Sequence, residues 1–158
     1  MDVEILRQKY PKIDSFQFDF LNGDFSKLPE CLQKIIGLNN FGIIKLLFYI
    51  NPPYLYNNHN FKYMAADKYK CIGPAANELS SLFLARVCSE IPNACVAVFN
   101  KLSYLQGASH SKFREFFTQN GLKISRGFIF PANSFEGITV DYPISFFIFY
   151  HCGEGKDD

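Results

Sequence analysis

Hydrophobic and polar positions along the chain repeat at two different periods, and the switches between them mark out its elements. Val3, Leu6 and Tyr10 recur at helical spacing until Pro11, which predicts a short amino-terminal helix. Phe16, Phe18 and Phe20 then alternate with Ser15, Gln17 and Asp19, the period of a strand that ends at Asn22-Gly23. LPECLQKIIG reads as a helix, with proline near its start and glycine at its stop. IIKLLFYI is apolar almost throughout, as expected of a strand inside a parallel sheet. ANELSSLFLARVCSEIP carries Leu79, Leu82, Phe83 and Val87 on one helical stripe. After it come a strand (ACVAVFN), a helix (HSKFREFFTQNG) and two strands (KISRGFIF and ISFFIFY). Residues 55–77 are polar, aromatic and broken by Gly and Pro; they are expected to form a long irregular loop of the kind that carries function.

Strand, helix, strand, helix, strand is the order of an α/β fold with a mostly parallel sheet. The last two strands are joined by a loop without a helix, so the final strand is expected to run antiparallel. Ligands of such sheets bind in the crevice beyond the strand carboxyl ends. Two segments are expected there, the Asp19 region and residues 51–54, Asn-Pro-Pro-Tyr. Two prolines remove two backbone donors and force the preceding residue out of the helical region. The chain therefore leaves the strand as a stiff arm, with Asn51 presenting an amide and a carbonyl to a ligand.

Composition narrows this picture only a little. The chain has 158 residues, enough for one domain with a real core, and a net charge of +1. No basic field argues for nucleic-acid binding. Cysteines 31, 71, 88, 95 and 152 form no CxxC pair, so free thiols are expected rather than a zinc site or a disulfide framework. No basic-then-apolar leader opens the chain and no apolar run is long enough to span a bilayer, which makes the cytoplasm the default location. His59, His110 and His151 have no ligand spacing and no metal is assigned. Lys62, Lys68, Lys70 and Lys101 are candidates for phosphate contact, although loop lysines are usually just solvated.

An apolar strand followed by Asn-Pro-Pro-Tyr resembles the catalytic motif of class I S-adenosylmethionine-dependent amino-methyltransferases. QFDFL and FIFPANSFEGITVDYPISFFIFY are similar to segments of their adenine-specific DNA branch, of restriction-modification type. The resemblance implies a partial Rossmann-like sheet over residues 1–150, followed by a flexible tail, 151–158. It also implies transfer of a methyl group to the amine of an adenine flipped out of DNA. By the same carry-over Asn51, Pro52, Pro53 and Tyr54 are catalytic. Tyr54 and Tyr142 stack the base, and Asp19 and Phe20 hold the cofactor's adenine.

Residues 1–14 contain no glycine, so the family's Gly-rich cofactor turn is missing ahead of QFDFL. For the acid that grips the ribose, Asp2 and Glu4 qualify by proximity alone. The expectation is a catalytic fragment that binds S-adenosylmethionine only if the missing motif is supplied, for instance by a complementing protein chain. Two alternatives stay open: an inactive remnant or interaction module that binds no cofactor, and a protein-glutamine or RNA methyltransferase using the same motif.

Overall fold

The computed structural model describes residues 3–56, 63–139 and 141–151. Its elements are α1 (Val3–Lys9), α2 (Glu30–Asn40), β1 (Leu47–Ile50), α3 (Met64–Lys68), α4 (Leu79–Glu90), β2 (Cys95–Lys101), α5 (Ser103–Gln106), α6 (Ser111–Gln119), β3 (Leu122–Pro131) and β4 (Pro143–His151). The fold is mixed α/β around one four-stranded sheet of order β1-β2-β4-β3. β1 pairs with β2 in parallel, whereas β4 pairs antiparallel with both β2 and β3. Three strands thus point the same way, and the last runs against them, wedged between the two that precede it.

Period-2 alternation splits the sheet into two faces. Val96, Val98 and Phe149 look toward α4 and α6, where Leu82, Val87, Phe113 and Phe117 join them in the core. On the other face Tyr49, Phe99, Phe146 and Phe128 form a chain of ring contacts, with Tyr49 67% and Phe128 57% exposed. Asn39, fully buried, ties the start of β1 to the turn before β2. Its amide nitrogen donates to the Pro92 carbonyl at 2.7 Å and its oxygen accepts from the Leu46 N–H at 2.9 Å. A buried amide with both ends satisfied makes up for its lost hydration.

Three sequence expectations are corrected. The apolar run IIKLLFYI does not lie inside the sheet: its strand, β1, is an edge strand with Leu47 and Tyr49 exposed, because the last strand inserts between β2 and β3 and leaves β1 with β2 as its one partner among the described residues. Residues 15–21 form no strand. Alternating phenylalanines suit a strand but do not make one without a neighbouring edge to pair with, and Phe20 instead stacks on Phe83 of α4, with ring centroids 4.8 Å apart. The segment expected to be irregular from residue 55 to 77 contains α3 and a 3-10 stretch, Lys70–Asn77. That stretch turns at Gly73, whose φ of 67° is a left-handed conformation suited to glycine. Its Ile72, Ala75 and Ala76 are buried, so its apolar residues serve the core although they follow no helical period. His59, Lys62, Cys152, Asp2 and the tail beyond His151 lie outside the described residues.

Candidate active site at the carboxyl end of β1

Pro52 and Pro53 cannot donate to a ladder, and β1 ends at Ile50. The chain continues as an arm, residues 51–56, in which Asn51 and Pro53 are exposed, Pro52 is buried and Tyr54 is half-buried. The Tyr54 hydroxyl donates to Asn51 Oδ1 at 3.4 Å. Burial, followed by the neighbouring Tyr142 and Tyr49 phenols, pushes Tyr54 up to about 12. Tyr104 of α5 is buried and close enough to Tyr54 to feel its phenol electrostatically. Burial and Tyr54 push its phenol up to about 12, although Ser145 opposes them. Its hydroxyl meets Ser145 Oγ at 3.4 Å, and that group donates to the Asn100 carbonyl at 3.1 Å. Tyr142, Tyr49 and Tyr104 thus neighbour Tyr54, which itself meets Asn51, and Tyr54 and Tyr104 are neutral donors at ordinary pH.

The far end of the arm is pinned to the start of α4. The Leu79 N–H donates to the Leu55 carbonyl at 3.0 Å, and Tyr56 forms an isolated bridge with Glu78. The Glu78 carboxylate lies 3.2 Å from Nε2 of His110, which is buried and meets Ser109 Oγ through Nδ1 at 3.0 Å. Of the lysines considered for phosphate contact, Lys68 pairs with Glu90 and Lys70 with Asp67. Lys101 turns toward Tyr54, Tyr56 and Tyr142.

Asp19 is engaged within its own turn. Oδ1 accepts from the Leu21 and Asn22 N–H groups at 3.1 Å each, and Oδ2 accepts from Asn22 Nδ2 at 2.8 Å. The Asn22 side chain, partly opposed by burial and helped by the two backbone donors and Arg86, holds this carboxyl below the usual range. Gly23 closes the turn with its N–H on the Asp19 carbonyl at 2.7 Å. A Cβ there would fall 2.7 Å from the Phe18 ring. Arg86, buried near the end of α4, donates to the Phe20 and Gly23 carbonyls and lies 4.2 Å from the centroid of the Phe25 ring. The Asp19 turn thus sits over the second half of α4, while the Asn51 arm contacts its start.

Phe20 does reach toward β1. A cleft of about 500 Å³ runs along that strand up to Ile50, walled by Phe16, Phe18, Phe20 and Phe83 and by Ile35 and Ile36 of α2. Apart from Tyr49, whose ring packs on Phe99 and Phe146 on the other face of the sheet, its lining carries no hydrogen-bonding side chain. S-adenosylmethionine combines a purine with ribose hydroxyls and a charged amino-acid end. This cleft fits the purine and does not fit the rest. Among the described residues no group of three or more His, Cys, Asp or Glu is arranged to hold a metal ion, and no helix is long and apolar enough to cross a membrane.

Tyr104, Asn100, Ser145 and the Glu78–His110 pair were not singled out from the sequence. One signal was legible: ACVAVFN ends its apolar run on a polar residue, Asn100, beside the strand that ends on Asn51. Tyr104 and Ser145 gave none, because only folding brings α5 and β4 to that strand end.

No protein-family model matches the sequence, and no curated protein is similar to it. Among solved structures, the chain is similar to the Entamoeba histolytica methyltransferase EhMeth, with 13% identity, a TM-score of 0.49, and coverage of 98% of this chain and 43% of that one. It is also similar to M1.HpyAVI, solved in complex with SAM, with 14% identity, a TM-score of 0.32, and coverage of 80% of this chain and 58% of that one. The chain thus spans less than two thirds of either structure, and likenesses at these scores carry no argument about its activity.

Proposed function

We propose that the chain forms the base-side half of an amino-methyltransferase site that takes an adenine flipped out of DNA. The observation that carries this reading is Asn51, an exposed amide at the carboxyl end of β1, followed by a buried proline and met by the Tyr54 hydroxyl, with Tyr142 and Tyr49 near Tyr54. The exocyclic amine of adenine is a poor nucleophile because its lone pair is delocalised into the ring. Asn51 Oδ1 and the Pro52 carbonyl accept its two hydrogens, favouring a tetrahedral nitrogen with the lone pair directed away from the ring. Oδ1 already meets the Tyr54 hydroxyl, and an amide oxygen has a second lone pair for the amine. Tyr54 and Tyr142 give the base its stacking faces.

The methyl donor in this reading is S-adenosylmethionine, with Phe20 against its adenine; Asp19, whose oxygens are taken up by its own turn, has no part in it. The groups that hold its charged end belong to a complementing polypeptide. The outer edge of β1 supports this. Leu46 accepts from Cys95 of β2, so by parallel-ladder alternation the backbone groups of Leu47 and Tyr49 point away from the sheet, as in an edge strand open to pairing. A second reading, an interaction module that binds no cofactor, is favoured by the apolar lining of the cleft.

Saturation-transfer NMR with adenosine tests the base site, and calorimetric titration with S-adenosylmethionine tests the cofactor site. The expected result is saturation transfer to adenosine, weaker for N6,N6-dimethyladenosine, which has no amine hydrogens, and lost in Asn51→Ala. Titration of the chain alone is expected to detect no S-adenosylmethionine binding. Equal adenosine binding by Asn51→Ala refutes the base site. Clear S-adenosylmethionine binding by the chain alone removes the need for a complement.

A further inference from the structure

Lys101 is the last residue of β2, and its backbone is held in place from two directions. Its N–H donates to Asn100 Oδ1 at 2.8 Å, and its Cα pairs with Ile144 of β4. Its ammonium group is not given to solvent alone. Nζ donates to the Tyr54 carbonyl at 3.4 Å and stands 5.8 Å from the ring centroids of both Tyr56 and Tyr142. Tyr54 and Tyr56 belong to the arm that leaves β1; Tyr142 belongs to the turn that enters β4. The backbone of that turn is itself anchored, since the Tyr142 carbonyl accepts from the buried Ala132 N–H at 2.9 Å. One cation at the end of the strand between them therefore contacts both aromatic segments.

We propose that Lys101 is a positioning residue that clamps the Tyr54 arm to the Tyr142 turn, setting the slot in which the base stacks. The inference rests on the base-binding reading above and adds a residue to it. A cation over an aromatic face is attracted by the ring quadrupole within about 6 Å, and a lysine supplies three donors on a flexible stem. The carbonyl bond fixes the arm and the two ring contacts fix the gap. Because the ammonium is committed to these three groups, Lys101 serves phosphate contact poorly.

The test uses the full chain and adenosine as the probe. In the wild-type NMR spectrum the Lys101 ε-methylene protons are expected upfield of ordinary lysine, through the ring currents of Tyr56 and Tyr142. Lys101→Met keeps the aliphatic stem and loses the charge. It is expected to bind adenosine roughly fivefold to tenfold more weakly, with the Tyr142 ring resonances displaced. Lys101→Arg can still donate to the carbonyl and stand over the rings, and is expected to restore both to near wild type. Tyr56→Leu changes a residue that is 66% exposed and removes one ring without touching β2. It is expected to weaken binding by a smaller factor and serves if Lys101→Met does not fold. An ordinary ε-methylene shift overturns the clamp. An upfield shift with unchanged adenosine binding in Lys101→Met overturns the positioning role alone. Failure of the wild-type chain to bind adenosine overturns the base-binding reading, and the proposal with it.

Discussion

Replacing Arg86 by methionine tests how the aromatic segment ahead of α2 is held. Arg86 is 6% exposed, and its guanidinium makes four kinds of contact: it donates to the Phe20 carbonyl, donates to the Gly23 carbonyl, pairs with Glu90 at 3.1 Å and covers the Phe25 ring. Methionine fills similar space and donates nothing. Each carbonyl left without a buried donor costs about 1–3 kcal/mol, and the lost ring contact about 0.5–2 kcal/mol. Glu90 keeps the Lys68 ammonium at 2.9 Å and the Tyr69 hydroxyl at 2.7 Å, so its charge is not stranded. The expected loss is roughly 3–5 kcal/mol, a large part of the 5–15 kcal/mol typical of a domain.

Urea unfolding at pH 7, with an unchanged slope, reads this loss as a lower midpoint. The pH dependence supplies an internal check. Burial pushes the Glu90 carboxyl up, but Lys68, Tyr69 and Arg86 together hold it below its ordinary value of 4.5. A depressed carboxyl contributes stability that is present above that value and lost as pH falls through the folded-state one. The gap between wild type and Arg86→Met is therefore expected to narrow as pH falls below 4.5 and through the depressed folded-state value. A gap under about 1 kcal/mol at pH 7, less than one orphaned carbonyl should cost, would refute the assignment of Arg86 as the anchor of this segment.

Three further outcomes are expected. Asn39→Ala orphans the Pro92 carbonyl and the Leu46 N–H inside the fold, and calorimetric melting should show a loss of about 2–4 kcal/mol; Asn39→Asp should restore only the acceptor half. Gly127→Ala puts a Cβ into the Phe147 ring and the Phe146 carbonyl across the β3–β4 pair, so hydrogen exchange along β4 should accelerate well before that of α4. Tyr54 and Tyr104 should ionise near pH 12 in an alkaline absorbance titration, above the ordinary 10. A phenol kept neutral by the fold opposes unfolding below pH 10, and that stability is lost as pH rises from there toward 12. Tyr54→Phe should remove one late-titrating phenol.

Local physics made much of this protein readable from the chain alone. The helical stripe of Leu79, Leu82 and Val87, the continuous apolar run before Asn51 and the loop-joined final strands each follow from side-chain period and turn chemistry. These act within a few residues and need no partner. The Pro-Pro stop at the end of β1 is of the same kind, since a missing N–H is a property of the residue itself. Residues 15–21 mark where this reasoning ends: the alternation of Phe16, Phe18 and Phe20 specifies a face, but a strand also needs an edge to bond to, and α4 offered ring contacts and the Arg86 donors instead. Asp19 was legible as an acid and not as an acceptor spent on its own turn. The tyrosine cluster at Asn51 and the reach of Lys101 across two loops depend on β4 lying between β2 and β3. That register is decided by long-range pairing and core packing, which no short window of sequence contains.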